Sequence, residues 1–596
     1  MTTQAHPEPA EVGITDQNLI NNYFIGPRAS NMPDFRANIN TVLDELLKTR
    51  LDYYHEDNKP ERQKAFQKVR DNFGDVVRKV PQLLGEHSVP FWSPRYEAHM
   101  CTDLTMPSLL GYFMTMLYNP NNVALEASPL TTVAELKVGE QLCEMFGYRT
   151  PHTPAGTRNE EPLSWDYITC HGTVANLESI WVARNLKFYP LVLHQAINER
   201  KLQFIKDKFE VETWDLLNLK PKTVLDLPNL LYEQYDISSD FLKDALDPYT
   251  IQSYGLIPEK TDEFYKSLKP MKFILSKTRH YSWPRDLVSI AGLGSANLLE
   301  VEIDDDVHID IKELDDKLKK CKESQNPVCA VVAIIGSTEK GAVDRLSEIL
   351  KVREKWQKEG LSFLVRADAA WGGCFATMLH RDLERGRPTL GDSDKASVPA
   401  LTLRRETEDD LLELQNADSI TVDPHKAGYV LYLAGSLVYK DGRMSKPGAG
   451  AMSTWLSNQT IGLDPDGYRK LLGQASFTSS RLSVRYAVQA DFRAKTRDSF
   501  ICVPFNRLPQ ERRGHAFNSP KAEDDREEIR RLILGKPNSE LLQDAEAVKL
   551  LHKLGSDTNI NGFALKFPIS RDSFFLSARL SSLLKWLYYI SECPLR

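Results

Sequence analysis

The sequence lacks the features of a membrane-spanning, secreted or nucleic-acid-coating protein. Its longest late apolar stretch, residues 574–590, is interrupted by Arg579 and Lys585 and falls short of a spanning helix. Residues 1–13 contain no basic start followed by an apolar run, so no signal peptide is predicted and we expect a cytoplasmic protein. A net charge of -7 argues against nucleic acid or anionic lipid as a partner. A small molecule is the expected partner.

Cysteine is scarce and scattered. The 8 cysteines lie far apart and form no C-x-x-C pair. This spacing disfavours both a disulfide framework and a zinc site. We therefore expect reduced, mostly buried thiols and no bound metal.

The middle of the chain alternates short apolar runs with amphipathic stretches, which is typical of parallel strands joined by helices. Cys329–Ile335 is almost wholly apolar, Asp344–Lys358 then favours a helix, and Leu361–Ala369 follows as the next strand. The pattern predicts an α/β fold with a sheet of about seven strands. The other predicted strands are Tyr167–Cys170, Lys272–Ser276, Leu298–Ile303, Ser419–Val422 and Leu433–Tyr439.

A chain of 596 residues is longer than one hydrophobic core usually serves. We predict a mainly helical segment over residues 1–130, a large domain over 131–455 and a small domain over 456–596. Glu511–Glu540 is rich in charge and poor in apolar residues, so it is interpreted as a surface segment.

The strongest chemical signal is Ser419–Lys426, which reads S-I-T-V-D-P-H-K. A strand ending here presents His425 and Lys426 at its carboxyl edge, where ligands of α/β sheets bind. A partly desolvated lysine loses proton affinity, so its amine can form a Schiff base with an aldehyde cofactor. The competing interpretation is a surface lysine after a turn.

A second strand ends in a carboxylate followed by small residues, at Arg366–Gly373. A carboxylate such as Asp368 beside a pyridine nitrogen keeps that nitrogen protonated. The protonated ring is what makes pyridoxal 5′-phosphate (PLP) an electron sink. The alternative role for Asp368 is a helix cap.

Two further segments follow predicted strands. Thr169–Asn176 contains a glycine turn that opens a helix, where backbone N–H groups and the helix dipole favour a phosphate. Neither this turn nor Gly336–Gly341 has the spacing of a nucleotide-binding P-loop. His280–Trp283 places an imidazole where it can lie over a flat ring, although a lone histidine is also a common structural residue.

Taken in order, these segments resemble the group II PLP-dependent amino-acid decarboxylases, and within them the bacterial tyrosine decarboxylases. The resemblance runs from about residue 85 to about residue 480. Its motifs are Ser93–Met100, Tyr118–Ala124, Ala127–Pro129, the Gly172 turn, His280–Trp283, Gly336–Thr338, Asp368–Ala370 and Asp423–Lys426, with a further echo at Gly555–Asn561.

The resemblance implies a type I PLP-enzyme fold of the aspartate aminotransferase kind, with a mostly parallel seven-stranded sheet, a helical N-terminal segment and a small C-terminal α/β domain. It also implies PLP as cofactor and a homodimer in which residues 1–130 pack on the partner subunit. Lys426 would bond the cofactor, Asp368 would pair with the pyridine nitrogen, His280 would stack on the ring and Ala370 would pack against its other face.

The remaining roles implied by the resemblance concern phosphate, proton and substrate. Gly172, Thr173, Ser337 and His425 would surround the phosphate. Tyr432 matches a proton-donating tyrosine, with Lys426 as the rival donor. His99 and Asn122 are candidates for contact with the substrate.

The implied reaction removes CO2 from an L-amino acid to give its amine, with tyrosine as the expected substrate. Glutamate or another acidic amino acid is the first alternative, and an aldehyde-forming PLP enzyme is the second. Two departures from the family keep a catalytically silent PLP-binding homologue open: the segment between Tyr439 and Lys446 is shorter than the family's substrate-covering stretch, and the tail after Phe567 no longer resembles the family.

Overall fold

The computed structural model divides the chain into two compact units. The first consists of residues 1–478 and 556–560, and the second of 479–555 and 561–596. The predicted divisions at residues 130 and 455 stay predictions. The residues that the structure describes are 22–53, 79–93, 96, 100–122, 125–154, 161–199, 201–208, 211–254, 268–379, 401–444, 458, 461–463, 467–488 and 501–566.

The first unit contains a sheet of 7 strands in the order β1-β7-β6-β5-β4-β2-β3. Neighbours from β3 to β6 pair in parallel, whereas β7 pairs antiparallel with both β6 and β1. It follows that β1 runs in the same direction as β6, so the carboxyl ends of six strands share one edge. The strands are β1 Trp165–Thr169, β2 Lys272–Ser276, β3 Leu298–Val301, β4 Val328–Ile334, β5 Leu364–Asp368, β6 Ser419–Val422 and β7 Gly435–Tyr439.

These bounds confirm the predicted α/β class and mostly parallel seven-stranded sheet. Two strands, β2 and β6, have the bounds predicted from the sequence, and the others differ by a few residues at their ends. The helix predicted from Asp344 begins at Leu346 instead. The Asp344 carboxylate is buried and accepts hydrogen bonds from the backbone N–H groups of Ile309 and Ile334, each at 2.7 Å.

Helices cover both faces of the sheet. β4 is buried along its whole length, and its side chains alternate between two apolar clusters. Val331 and Ala333 belong to one cluster, while Val332 and Ile334 belong to the other. The α-helices of the first unit are Met32–Tyr53, Met106–Tyr118, Pro129–Phe146, Gly172–Glu199, Thr213–Leu217, Pro221–Tyr235, Ser239–Leu246, Ile251–Tyr254, Val288–Ile290, Ile311–Glu323, Leu346–Lys358 and Arg405–Leu412, and Tyr468–Val488 follows them.

The second unit contains a two-stranded antiparallel sheet, β8 Ile501–Pro504 with β9 Phe563–Lys566, and the helices Pro509–Arg512, Pro520–Leu532, Asn538–Gln543 and Ala545–Leu551. The interpretation of Glu511–Glu540 as a surface segment is wrong for its central helix. Ile529, Leu532 and even Arg526 are buried there. The Arg526 guanidinium is satisfied by the carbonyl oxygens of Ala487 and Phe517, at 3.1 and 2.8 Å, which allows a charged residue on the inner face.

Among the described cysteines, Cys101 and Cys170 are exposed and the rest are buried, all as free thiols. None of the helices in the described part of the chain combines the length and hydrophobicity that a bilayer crossing requires. The segment after Met444 and the tail after Phe567, on which the two departures from the family fall, lie outside the described residues.

Candidate active site

A cavity of about 210 Å³ opens at the carboxyl edge of the sheet. Five strands, β1, β2, β4, β5 and β6, send the loops that follow them into it, as expected for a ligand site in an α/β sheet. The loops contribute His171, Gly172 and Thr173 after β1; Thr278, His280 and Tyr281 after β2; Gly336 and Thr338 after β4; Asp368 and Ala370 at β5; and Asp423, His425, Lys426 and Tyr432 after β6.

Lys426 forms an ion pair inside this cavity. Its Nζ lies 2.9 Å from Oδ2 of Asp423, whose side chain is only 2% exposed. Burial lowers the pKa of Lys426, but the charges of Asp423 and Asp368 outweigh burial and raise that pKa above its ordinary value. The expectation that desolvation would weaken the proton affinity of this lysine is therefore wrong for the protein chain alone, because a carboxylate lies within hydrogen-bonding distance.

Asp368 is held by neutral donors on one of its two oxygens. Oδ2 accepts a hydrogen bond from Nδ2 of Asn176 at 2.9 Å and another from Nε1 of Trp283 at 3.0 Å. Within the described residues, Oδ1 has only a long contact, 3.4 Å, with the backbone N–H of Ala370. One carboxylate oxygen is thus fixed and the other faces a cavity-lining loop, which suits a carboxylate that accepts a bond from a ring nitrogen.

The helix Gly172–Glu199 points its N-terminus at the cavity. A side chain at its first residue would clash, since a Cβ on Gly172 would lie 2.8 Å from Oδ2 of Asp423. Glycine therefore lets the helix start approach the end of β6 closely. The partial positive charge of a 28-residue helix at this position attracts an anion such as a phosphate.

His280 carries a neutral imidazole at the cavity wall. Its Nδ1 lies 2.8 Å from the hydroxyl of Ser282, which fixes the orientation of the ring. Burial lowers the pKa of His280 despite the nearby carboxylate of Asp368, so the ring is uncharged at neutral pH. A neutral, oriented imidazole is suited to lie against an aromatic ring.

The segment after β6 brings two more predicted residues to the cavity. His425 contacts the backbone carbonyl of Ala434 through Nδ1 at 2.7 Å, and the ring of Tyr432 lies 4.4 Å from its ring. Leu433 has a φ of 84°, in the left-handed region that a leucine rarely adopts. Burial and the charge of Asp423 raise the pKa of Tyr432, so its hydroxyl keeps its proton.

The chain is similar to known decarboxylases. Residues 265–391 match the family model "Pyridoxal-dependent decarboxylase conserved domain". The L-tyrosine decarboxylase of Enterococcus faecalis is 30% identical over 506 residues, which cover 76% of this chain and 74% of that protein. The L-tyrosine decarboxylase of Levilactobacillus brevis is 31% identical over 506 residues, which cover 76% of this chain and 73% of that protein. This chain belongs to the PLP-dependent amino-acid decarboxylases.

The decarboxylase family is not uniform in substrate. An aspartate 1-decarboxylase from Aliivibrio fischeri is 23% identical over 427 residues, covering 67% of this chain and 59% of that protein. Membership therefore fixes the reaction type, the removal of CO2 from an amino acid. Together with the mostly parallel seven-stranded sheet, it confirms the predicted type I PLP-enzyme fold.

The cofactor of this decarboxylase is PLP, and the cavity fits it. PLP carries an aldehyde, a pyridine nitrogen, a flat ring and a phosphate. The cavity offers an amine at Lys426, a buried carboxylate at Asp368, a neutral imidazole at His280 and a helix N-terminus at Gly172. Each group of the cofactor has a chemically matched group in the protein.

Two predicted site residues are described but do not line this cavity. The hydroxyl of Ser337 is buried and accepts bonds from the backbone N–H groups of Lys340 and Ala342, at 3.4 and 3.2 Å, so its neighbour Thr338 lines the cavity instead. Asn122 is bonded to the carbonyl of Thr131 and the carboxylate of Glu135, so its amide serves local structure. His99 lies outside the described residues.

The sequence interpretation missed the partners of the two site carboxylates. Asn176 and Trp283, which hold Asp368, stand within quoted motifs but had no assigned role, and neither had Asp423. Asn176 follows Gly172 by about one helical turn, so both positions lie on the same face of the helix, near its N-terminus. That spacing was the available signal; for Trp283 no comparable signal exists, because its contact depends on the tertiary fold.

Proposed function

We propose that this decarboxylase converts L-tyrosine to tyramine and CO2. The similarity to two L-tyrosine decarboxylases over three-quarters of the chain is the observation that carries the proposal. The cavity lining supports it, because Met100, Tyr281 and Tyr432 offer apolar and aromatic surface to an aromatic side chain.

An acidic substrate suits the cavity less well. Its described lining contains the carboxylates Asp368 and Asp423, but no arginine and no lysine other than Lys426. A second carboxylate on the substrate would be repelled and would lack the bidentate partner that such groups usually have. Glutamate and aspartate are therefore competitors in the test and not the proposal.

We propose the following roles for residues of this chain. Lys426 would hold the cofactor through its aldehyde, and Asp368 would keep the pyridine nitrogen protonated. His280 and Ala370 would lie against the two faces of the ring. Gly172, Thr173, Thr338 and His425 would surround the phosphate. When bound, PLP withdraws the electrons that remain at Cα after CO2 leaves.

A proton must then be delivered to Cα, and Tyr432 is the proposed donor. Its hydroxyl keeps its proton near neutral pH, as a donor requires. Lys426 is the rival donor, because its raised pKa also keeps a proton available. The Tyr432→Phe variant described below distinguishes them.

We propose a cytoplasmic homodimer, as the family resemblance implies. Two helices of the first unit support the assembly with apolar side chains left in solvent. Met116 on Met106–Tyr118 is 57% exposed and Leu130 on Pro129–Phe146 is 71% exposed. Light scattering on the purified full-length chain tests the dimer, and a monomer across the micromolar range would overturn it.

The function is tested by incubating purified protein and PLP separately with tyrosine, phenylalanine, tryptophan, DOPA, glutamate and aspartate. Mass spectrometry of the amine products then ranks the substrates, with Lys426→Ala as the inactive control. Tyramine as the dominant product supports the proposal. Dominant γ-aminobutyrate or β-alanine would replace tyrosine by an acidic substrate, and PLP binding without any amine would favour a silent homologue.

A further inference from the structure

A buried arginine lies behind the site carboxylate. Arg366 is on β5, on the same face as Asp368, and is 0% exposed. Its Nε donates to the hydroxyl of Ser419 at 2.9 Å and its Nη2 to the hydroxyl of Thr421 at 3.1 Å. Nη1 is buried without a hydrogen-bond partner among the described residues. Burying a charged group without full hydrogen bonding costs folding free energy. That cost suggests that Arg366 has a role beyond packing.

The hydrogen bonds of Arg366 continue to the active site. The hydroxyl of Thr421 donates to Oδ1 of Asn176 at 2.8 Å, and Nδ2 of Asn176 donates to Oδ2 of Asp368 at 2.9 Å. β5 and β6 pair so that Asp368 lies opposite Thr421. The residues of this hydrogen-bonded series on the two strands are therefore neighbours. Every link from the guanidinium to the carboxylate is within hydrogen-bonding distance.

Arg366 determines which group donates and which accepts at each hydrogen bond of this series. A guanidinium only donates, so the oxygen of Thr421 must accept from it and the hydroxyl proton must turn to Asn176. The amide oxygen of Asn176 receives that proton, and its NH2 group therefore faces Asp368. A carboxylate that faces a donor is stabilised in its ionised form.

The charges of the two ends are also linked. Burial lowers the pKa of Arg366 to about 10, while the neighbouring Tyr439 and Asp368 act against burial. The guanidinium therefore stays protonated at neutral pH and its positive charge acts on Asp368.

We propose that Arg366 is a positioning residue for the cofactor: through Thr421 and Asn176 it keeps Asp368 aimed at the pyridine nitrogen of PLP. The inference concerns the cofactor, so it does not depend on which amino acid the decarboxylase accepts. Trp283 donates to the same carboxylate oxygen, so breaking the chain should weaken the interaction and not abolish it.

Thr421→Val is the sharpest test, because valine keeps the shape of threonine and removes the hydroxyl that links Arg366 to Asn176. Thr421→Ser keeps the hydroxyl, and Ser419→Ala removes a bond of Arg366 that lies outside the chain to Asp368. Dissociation constants are measured for each full-length variant with PLP and with the PLP analogue that has a ring carbon in place of the pyridine nitrogen.

We expect Thr421→Val to bind PLP about tenfold more weakly, the loss typical of one hydrogen bond to a charged group. Its affinity for the carbon analogue should change less than about twofold, because that ring has no nitrogen for Asp368 to meet. Thr421→Ser and Ser419→Ala should preserve the ratio of the two affinities. A merely structural role would weaken both ligands equally in Thr421→Val, and this result, or no change with either ligand, would overturn the proposal.

Arg366→Met removes the positive charge as well as the hydrogen-bond donors. It should reduce the ratio of the affinity for PLP to that for the carbon analogue at least as much as Thr421→Val does. If that variant does not fold, Thr421→Val still decides the question. A folded Arg366→Met with an unchanged ratio would contradict the role of the arginine.

Discussion

The ends of β5 and β6 carry the same residue type in different surroundings. Asp368, at the end of β5, is bonded through Oδ2 to two neutral donors, Asn176 and Trp283. Asp423, directly after β6, is paired with the ammonium group of Lys426, and its Oδ1 is buried without a hydrogen-bond partner among the described residues. Both carboxylates line the same cavity.

The two carboxylates differ in the kind of partner they have: Asp368 has neutral partners, and Asp423 has a charged one. The partners of Asp368 lie in a helix and in the segment after β2, and both are uncharged side chains. The partner of Asp423 is Lys426, the lysine proposed to bond the cofactor aldehyde, and that bond requires the ammonium group to lose its charge. Asp368 is therefore suited to hold the ring, whereas Asp423 is suited to govern the reactivity of Lys426.

The largest expected effect comes from removing that lysine. Lys426→Ala should abolish amine production, because no other described lysine lines the cavity. Borohydride treatment followed by peptide mass spectrometry should attach PLP to the peptide with Lys426 in the wild type and to no peptide in the variant. Attachment to another lysine in the variant would contradict the assignment.

Asp368→Asn should have the next largest effect. The side chain keeps its shape but loses the negative charge that stabilises a protonated pyridine nitrogen. We therefore expect kcat/KM to fall about 10²–10³-fold. PLP should also dissociate more readily, which equilibrium dialysis measures. If Asp423→Asn lowers kcat/KM more than Asp368→Asn does, the two carboxylates have been assigned the wrong way round.

Tyr432→Phe should lower kcat about 10²-fold with little change in KM, as expected for the loss of a proton donor in the transition state. Tyr432 is 58% exposed, so removing one hydroxyl should leave the fold intact. Single-turnover measurements in deuterated and in ordinary water identify the affected step. An unchanged kcat would transfer the role of proton donor to Lys426.

Much of the sheet could be predicted from local sequence. β2 and β6 are short apolar runs bounded by polar residues, and their bounds were read directly from that pattern. The motif residues Lys426, Asp368, His280 and Gly172 also met in one cavity, because each directly follows or ends a strand of common direction. Strand ends are local features, and parallel strands bring them to one edge.

Contacts between strands could not be predicted in the same way. The link from Arg366 through Thr421 requires that β5 and β6 be neighbours in one register, and strand order is not written in local sequence. The raised pKa of Lys426 was missed for a related reason: the proximity of Asp423 depends on the turn Asp423–Lys426, whose backbone closes with a 2.9 Å bond from Lys426 N–H to the carbonyl of Asp423. Ser337 and Asn122 do not line the cavity, and local hydrogen bonds occupy their polar groups.

Asp423→Asn should have the smallest and most specific effect. Only an uncharged lysine amine attacks an aldehyde, and Asp423 and Asp368 raise the pKa of Lys426. In the wild type, capture of PLP by the cofactor-free protein should therefore accelerate as the pH rises toward that raised pKa. Removing the nearer carboxylate lowers the pKa, so the whole profile should move to lower pH. Capture at a given pH below the pKa should become about tenfold faster for each unit of the shift.

Stopped-flow absorbance across a pH series measures this capture rate. Asp418→Asn is the matched control, because Asp418 precedes the same strand at the opposite edge of the sheet and pairs with Arg353 at 3.0 Å. Its profile should coincide with that of the wild type. An equal shift in both variants would mean that the general loss of negative charge, and not the contact between Asp423 and Lys426, controls the pKa of the lysine. The absence of a shift in Asp423→Asn would remove the distinction between the two carboxylates.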